Sequence, residues 1–225
     1  MSENKFVINF AESSSFCFTS IALNYFVTEI LSKRNDLKSK QLFFRLFRTA
    51  IIGDILYKKG QEYVKSEEHE AENELIAALF ESYMFLLRTI YDYLLQFLHE
   101  KYSVRENSFN KFIKKIRNGE YPEIKGKLRY YLQAESFEEI RALRDSIKRQ
   151  TPYIFIYVKD HRYQVEGTIY KRDGQREKFD EKLRVKILGY SAVLFLLMSY
   201  MAESMTGISL NEQFEISKIK MQRQD

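Results

Sequence analysis

The segment 66–101 constrains the fold more than any other part of the chain. Its apolar residues recur at intervals of three and four, which predicts the longest helix of the protein. The whole chain has only eight glycines and two prolines, so we expect long regular elements with few loops. The recurring apolar positions are Leu75, Leu79, Tyr83, Leu86, Ile90, Tyr93 and Phe97.

The same spacing predicts helices over residues 13–31, 38–59, 108–117, 124–132 and 180–204. Gly60 is expected to stop the second of these. Ser136 and Glu139 match the S-x-x-E capping box, which predicts a further helix beginning at Ser136. The Thr151-Pro152 step is expected to end it, because the residue before proline avoids the helical region. The side of the 38–59 helix that carries its apolar residues includes Leu42, Leu46, Thr49, Ile52 and Leu56.

After Pro152 the pattern changes to a period of two. Residues 153–158 are rich in β-branched and aromatic side chains, and residues 162–170 alternate, with Tyr163, Val165 and Ile169 on one face. Because Lys159-Asp160 lies between the two segments, they predict a β-hairpin.

We therefore expect one mainly α domain over residues 1–225. It is a multi-helix bundle with a β-hairpin insert, at about 153–178, before the last long helix. Asp173-Gly174 is expected to form a second turn, and the tail after Gly207 is polar.

Charge is unevenly spread along the chain, whose formal net charge is +5. Residues 111–129 contain seven basic and two acidic side chains, and residues 62–74 contain six glutamates and one lysine. Such runs are consistent with solvated faces. The basic run is also consistent with an anionic partner such as nucleic acid. Its candidate contact residues are Lys111, Lys114, Lys115, Arg117, Lys125 and Lys127.

Several features indicate a soluble cytoplasmic protein with no membrane segment. Cys17 is the only cysteine, which fits a reducing compartment and leaves no internal disulfide. The polar residues near the N-terminus do not match a signal peptide. The longest uncharged run, from Ile187 to Ala202, has 16 residues and is too short to span a bilayer.

Arg144 is the most informative single residue. On a helix it lies about 20° from Phe137, on the face that also carries Ile140, Leu143 and Ile147. A guanidinium on an apolar face is costly unless it is paired. Arg144 is therefore expected either to meet a carboxylate inside the fold or to line a cleft.

The long helix has a related feature. Glu81, Arg88, Asp92 and His99 fall on one narrow polar line between apolar side chains. Arg88 and Asp92 are spaced to form an i, i+4 ion pair. Together with Arg144 and its neighbour Asp145, these residues predict either a structural salt-bridge network or a polar cleft between helices. Arginine in such a cleft suits phosphate, because its fork donates two parallel hydrogen bonds.

Catalytic patterns are weak. None of the three histidines is paired with another at the spacing of metal ligands, and no glycine-rich phosphate loop occurs. We expect no metal and no cofactor.

Two stretches resemble the HEPN superfamily of helical nucleotide-binding domains: ESYMFLLRTIYDYLLQFL on the long helix, and EIRALRDSIKRQ before the hairpin. The resemblance covers residues 66–205. HEPN ribonucleases carry an arginine and a histidine separated by four to six residues, and Arg144-Asp145 resembles the start of that motif. This chain has Arg149, Gln150 and Thr151 where the histidine is required, so the resemblance implies binding without the usual proton-transfer group. It also implies a homodimer with facing arginine motifs.

Three hypotheses follow. The first is a non-catalytic HEPN-like protein that binds RNA or a nucleotide through an inter-helix cleft containing Arg144, Asp145, Arg88, Asp92 and Glu81. The second is a protein-interaction or dimerisation module in which the Arg–Asp network is purely structural. The third is a divergent metal-independent ribonuclease in which His99 or His161 replaces the missing histidine.

Overall fold

The computed structural model describes residues 25–34, 36–65, 70–148, 154–170 and 176–222. These residues form a mainly helical bundle with a small antiparallel sheet before the last long helix, so the predicted fold class is confirmed. A π-helical turn (Phe26–Leu31) precedes α1 (Leu37–Gln61), α2 (Glu70–Tyr102), α3 (Phe109–Arg117), α4 (Gly126–Leu132) and α5 (Glu135–Lys148). They are followed by β1 (Ile154–Lys159), β2 (Arg162–Tyr170), β3 (Arg176–Lys182), α6 (Leu183–Thr206) and α7 (Leu210–Gln222).

The helical core is built around α2. Helix α1 packs against α2 and α6, while α5 packs against α2. Aromatic rings fix the junction of α2, α3 and α5: the ring centre of Phe137 lies 5.0 Å from that of Tyr91 and 4.7 Å from that of Phe109. This junction sets the position of α3, which carries the first part of the basic run.

The β-hairpin is confirmed, with Tyr163, Val165 and Ile169 buried on one face. Its turn is Asp160-His161 rather than Lys159-Asp160, and both turn residues have positive φ. The sheet has a third strand, in the order β1-β2-β3. The prediction that α6 begins at 180 is therefore wrong, because Asp180 pairs with Glu166 in the sheet. The predicted Asp173-Gly174 turn lies outside the described residues, as does most of the predicted 13–31 helix.

Gly60 does not stop α1, which continues to Gln61. A Cβ atom at residue 60 would lie 2.7 Å from the backbone nitrogen of Arg184, so glycine is needed for the close approach of α1 to α6.

The predicted capping box is also wrong. Helix α5 begins at Glu135, the Ser136 hydroxyl has no hydrogen-bond partner among the described residues, and the Glu139 carboxylate contacts Lys186 instead.

Helix α7 occupies the tail that sequence patterns left without structure. It follows Gly207, which has a φ of 76°. The side-chain amide of the buried Gln213 donates hydrogen bonds to the carbonyl oxygens of Ser199 (3.1 Å) and Ile208 (2.9 Å). These bonds hold α7 against the end of α6.

By length and composition alone, α6 could cross a membrane, and it is the one such helix in the described part of the chain. However, 67% of its apolar stretch is buried inside the fold, which is consistent with the core helix of a soluble protein.

Candidate anion-binding groove

Arg88 and Asp92 form the ion pair that their spacing predicts. The Arg88 side chain is only 7% exposed, and its Nη1 lies 2.7 Å from Oδ1 of Asp92, whose side chain is 43% exposed. The guanidinium also lies over the ring of Phe137, 5.4 Å from its centre. The Nε and Nη1 groups of Arg88 have no well-directed hydrogen-bond acceptor among the described residues. Asp92 is therefore the main electrostatic partner of a largely desolvated cation.

Asp92 also connects this pair to α3. Its Oδ1 accepts the backbone N–H of Phe109, at 3.4 Å, in the first turn of α3. Ser108 is the N-cap of the same helix, and its hydroxyl accepts the N–H of Lys111. Arg88, through Asp92, thus helps to fix the start of the helix that carries Lys111 and Lys114.

Arg144 and Glu81 have different surroundings. The Arg144 side chain is half-buried, and its Nη1 lies 2.6 Å from Oδ1 of the adjacent Asp145. Oδ2 of Asp145 lies 3.7 Å from Nη1 of Arg141. Glu81 is half-buried on α2, where burial and then the neighbouring charge of Glu74 raise the pKa of its carboxyl. Within the described structure, Arg88 and Arg144 each have a carboxylate of their own, and the two do not share one.

Two surface depressions lie next to Asn107, in the loop before α3. The first, of about 350 Å³, is lined by residues that include Lys38, Asp92 and His99. The second, of about 560 Å³, is lined by Arg105, Glu106, Asn107, Lys111, Lys114, Lys115, Asn118 and Glu120. Asn107 lines both, and we call the two depressions together the basic groove.

The positive charge of the basic groove comes mainly from three side chains. Arg105, Lys111 and Lys114 are exposed and form no ion pair with a described residue. Lys115 is different, because its Nζ lies 2.9 Å from Glu106 and 3.0 Å from Glu120. The hydrogen bond with Glu106, followed by that with Glu120, raises the pKa of Lys115. The charge of Lys115 is thus compensated by carboxylates, whereas Arg105, Lys111 and Lys114, together with the exposed Lys38 of the first depression, can attract an anion.

Glu106 is a buried residue of the loop between α2 and α3, and its carboxylate contacts Tyr121 and Lys115. Burial raises the pKa of its carboxyl, but hydrogen bonds from Tyr121 and Lys115 outweigh that effect and lower the pKa below its usual value. Glu106 is consequently a buried carboxylate that holds Lys115 and the loop in place.

Both described histidines contact backbone carbonyl groups. His99 Nε2 lies 2.7 Å from the carbonyl oxygen of Glu106 and must donate in that contact. His161 Nδ1 lies 3.1 Å from the carbonyl oxygen of Val64, and its ring stacks on Tyr63. His99 lines the basic groove, whereas His161 lies in the β1–β2 turn.

The predicted basic surface is divided. Arg117 pairs with Glu138 at 3.1 Å. Lys125 and Lys127 line a separate depression of about 690 Å³, where the Lys127 ammonium lies 5.5 Å from the ring centre of Tyr200. Of the predicted basic surface, Lys111, Lys114 and Lys115 line the basic groove.

Sequence reasoning missed Lys186. This buried side chain on α6 contacts Glu139 of α5 and lies 2.8 Å from Glu181 of β3. Lys186 lies three residues after Leu183 and four before Tyr190, so helical spacing places it on the buried face of α6. That spacing could have identified Lys186 as a buried cation that needs carboxylate partners. Among the described residues, no group of three or more histidine, cysteine, aspartate or glutamate side chains is placed to hold a metal ion.

Comparison of the chain with protein-family models, curated proteins and solved structures yields no match. The function must therefore be argued from the groove itself.

Proposed function

We propose that this protein is a non-catalytic, HEPN-like binder of RNA that holds the phosphate backbone in the basic groove. The observation that carries the proposal is the set of three exposed cations, Arg105, Lys111 and Lys114, along one groove and without carboxylate partners in the described structure. Cations of this kind supply most of the sequence-independent affinity for nucleic acids, because phosphate contacts release condensed counterions.

Arg88 and Asp92 have a supporting role in this proposal. The pair holds the N-terminal end of α3 through the Phe109 N–H, and so positions Lys111 and Lys114 for phosphate. The HEPN resemblance implies that Arg144 faces its counterpart in a second subunit. A homodimer and a cytoplasmic location are parts of the same proposal.

The proposal includes no cleavage. Arg149, Gln150 and Thr151 occupy the positions where the resembling ribonucleases have histidine. His99 lines the groove and donates from Nε2 to the Glu106 carbonyl oxygen, but it lies outside the motif that the resembling ribonucleases use. Because this hydrogen bond leaves Nδ1 as the nitrogen that can accept a proton, His99→Ala is part of the test for cleavage.

The test is the affinity of the purified protein for a fluorescein-labelled oligouridylate, measured by anisotropy. We expect the double variant Lys111→Gln/Lys114→Gln to bind about 25-fold more weakly at about 0.1 M salt, since each single-strand contact contributes a slope of about 0.7 in log affinity against log salt. Lys178→Gln/Lys182→Gln is the matched control, because it removes two exposed lysines of β3.

Equal losses in the two double variants would show that the groove is not the binding surface. Denaturing gels of the same RNA, with and without Mg²⁺, separate binding from cleavage. If the RNA is cut and His99→Ala abolishes cutting, the protein is a ribonuclease and the non-catalytic proposal is wrong.

A further inference from the structure

Helix α1 is apolar on two opposite faces. Its inner face is buried in the core through residues that include Leu42, Leu46 and Leu56. Its outer face carries a second set of large apolar side chains that nothing in the described structure covers. A helix with apolar residues all round is normally buried all round. Within the described residues, packing of the core therefore does not account for the outer face of α1.

The outer set forms one narrow line. Its members are Leu37, Phe44, Phe47, Ile51 and Ile55, which are 37% to 69% exposed, and we call them the α1 stripe. On an ideal helix they fall within an arc of about 80° and extend over about 27 Å. Their separations of seven, three, four and four residues match the anchor positions of a helix that packs on another helix.

The width of the α1 stripe favours a helix over a lipid surface as its occupant. A helix that lies on a broad apolar surface presents an arc of about 100° or more, whereas a helix–helix seam is narrower. The arc of the α1 stripe, about 80°, is in the range of a helix–helix seam. A ridge of this shape fits between the side chains of one partner helix.

The charges beside the α1 stripe select the chemistry of that partner. Arg48 lies about 20° outside one edge of the arc, and Lys40 lies within the arc, between Leu37 and Phe44 along the helix. Both are exposed and have no ion-pair partner in the described part of the chain. Asp54 is already paired with Lys58 at 2.8 Å. A second copy of α1 would bring these cations towards one another, whereas a partner with glutamate or aspartate beside its apolar seam would pair with them.

We propose that the α1 stripe is a docking site for an acidic amphipathic helix of a partner protein. The partner has apolar residues at heptad spacing and carboxylates placed to meet Lys40 and Arg48, and the apolar seam supplies affinity while these two cations set the preference for acidic partners. This site is independent of the basic groove, so loss of RNA binding would leave it unaffected.

The experiment uses the full chain and two labelled peptides of about four heptads, both with leucine at the seam positions. One peptide has glutamate at the flanking positions, and the control peptide has lysine there. We expect the acidic peptide to bind at least about tenfold more tightly than the basic one. Phe44→Gln/Ile51→Gln should weaken its binding by about tenfold or more. Leu75→Gln is the matched control, since Leu75 is 60% exposed on α2 outside the α1 stripe.

Charge reversal gives a second readout. Lys40→Glu/Arg48→Glu should make the basic peptide the better ligand. Both double variants should keep the wild-type unfolding midpoint, because the altered side chains are exposed.

Three results would overturn the proposal. The first is failure of the acidic peptide to bind, or equal binding of both peptides. The second is a monomer–dimer equilibrium in sedimentation that Phe44→Gln/Ile51→Gln abolishes, which would make the occupant a second copy. The third is that the wild-type protein binds phosphatidylserine vesicles but neither peptide, and that Phe44→Gln/Ile51→Gln abolishes vesicle binding. That result would make the occupant of the α1 stripe a membrane.

Discussion

Replacing Asp92 with asparagine should destabilise the protein more than replacing Arg88 with methionine. The reason is the unequal exposure of the pair, 7% for the Arg88 side chain and 43% for that of Asp92. Without the carboxylate, a guanidinium from which water is largely excluded stays in the fold without a counter-charge. Without the guanidinium, the remaining carboxylate is open to water.

The expected costs follow from this asymmetry. An uncompensated buried charge costs about 3–5 kcal/mol. We expect about 3 kcal/mol for Asp92→Asn, because the asparagine oxygen can still accept the Phe109 N–H. Methionine keeps apolar contact with Phe137, so Arg88→Met should cost about 1 kcal/mol, near the upper end for solvent-exposed pairs. In a chain of this size the two values correspond to midpoint shifts of roughly 6–12 °C and 2–4 °C.

The assay is urea unfolding followed by far-UV circular dichroism, with thermal unfolding as a second measure. Arg144→Met is a useful control, because the Arg144–Asp145 pair is partly exposed on both sides and should cost no more than about 1 kcal/mol. If Arg88→Met costs as much as Asp92→Asn, or if Asp92→Asn has no effect, Arg88 is not a desolvated cation that depends on Asp92.

Two further predictions concern backbone packing and pH. Gly60→Ala should destabilise the protein by roughly 1–3 kcal/mol, because its Cβ would press on the Arg184 backbone. Gly189 lies on α6, where an added Cβ atom would contact no other residue, so Gly189→Ala should stabilise the protein by about 0.5–1 kcal/mol. If Gly60→Ala and Gly189→Ala shift the urea midpoint by the same amount in the same direction, the packing argument is wrong. Since folding lowers the pKa of Glu106 below 4.5, its contribution to stability is present above that pH and is lost as the pH falls through the folded value. Glu106→Gln should therefore lower the urea midpoint at pH 7 and approach the wild type in acid, whereas a difference that does not change with pH would refute this role.

The parts of the fold that local patterns determine were predictable. The 3.6-residue period located α1, although Ile52 is only partly buried and the helix continues past Gly60. On α2 the period located the helix, but Leu75, in its second turn, remains 60% exposed, and Leu79, Leu86 and Tyr93 are only partly buried. Periodicity identifies an apolar face, but which residues of that face are covered depends on the neighbouring elements.

Strand β3 and helix α7 show where local reasoning fails. The sequence of β3, REKFDEK, has one buried residue, Phe179, and no alternating apolar pattern. It becomes a strand because β2 offers a free edge, and Phe179 lies opposite Gly167. Helix α7 packs Leu210 and Ile216 against the core, and the buried Gln213 donates hydrogen bonds to the carbonyl oxygens of Ser199 and Ile208. Both elements depend on contacts that are distant in sequence or made through polar atoms.

The candidate site also has one part that the sequence could predict and one part that it could not. The Arg88–Asp92 pair could be predicted because one helix supplies both residues at a fixed spacing. The Glu106–Tyr121 contact joins the loop before α3 to the loop after it. No sequence pattern gives that distance, so the division of the basic run into paired and unpaired lysines was visible only in the structure.

The most direct test of the basic groove is the salt dependence of RNA affinity. The slope of log affinity against log salt concentration should be about 1.4 shallower for Lys111→Gln/Lys114→Gln than for the wild type, since two phosphate contacts on a single strand are lost. The β3 control, Lys178→Gln/Lys182→Gln, should keep the wild-type slope. Identical slopes for all three proteins would contradict the account, because they would show that Lys111 and Lys114 do not contact phosphate.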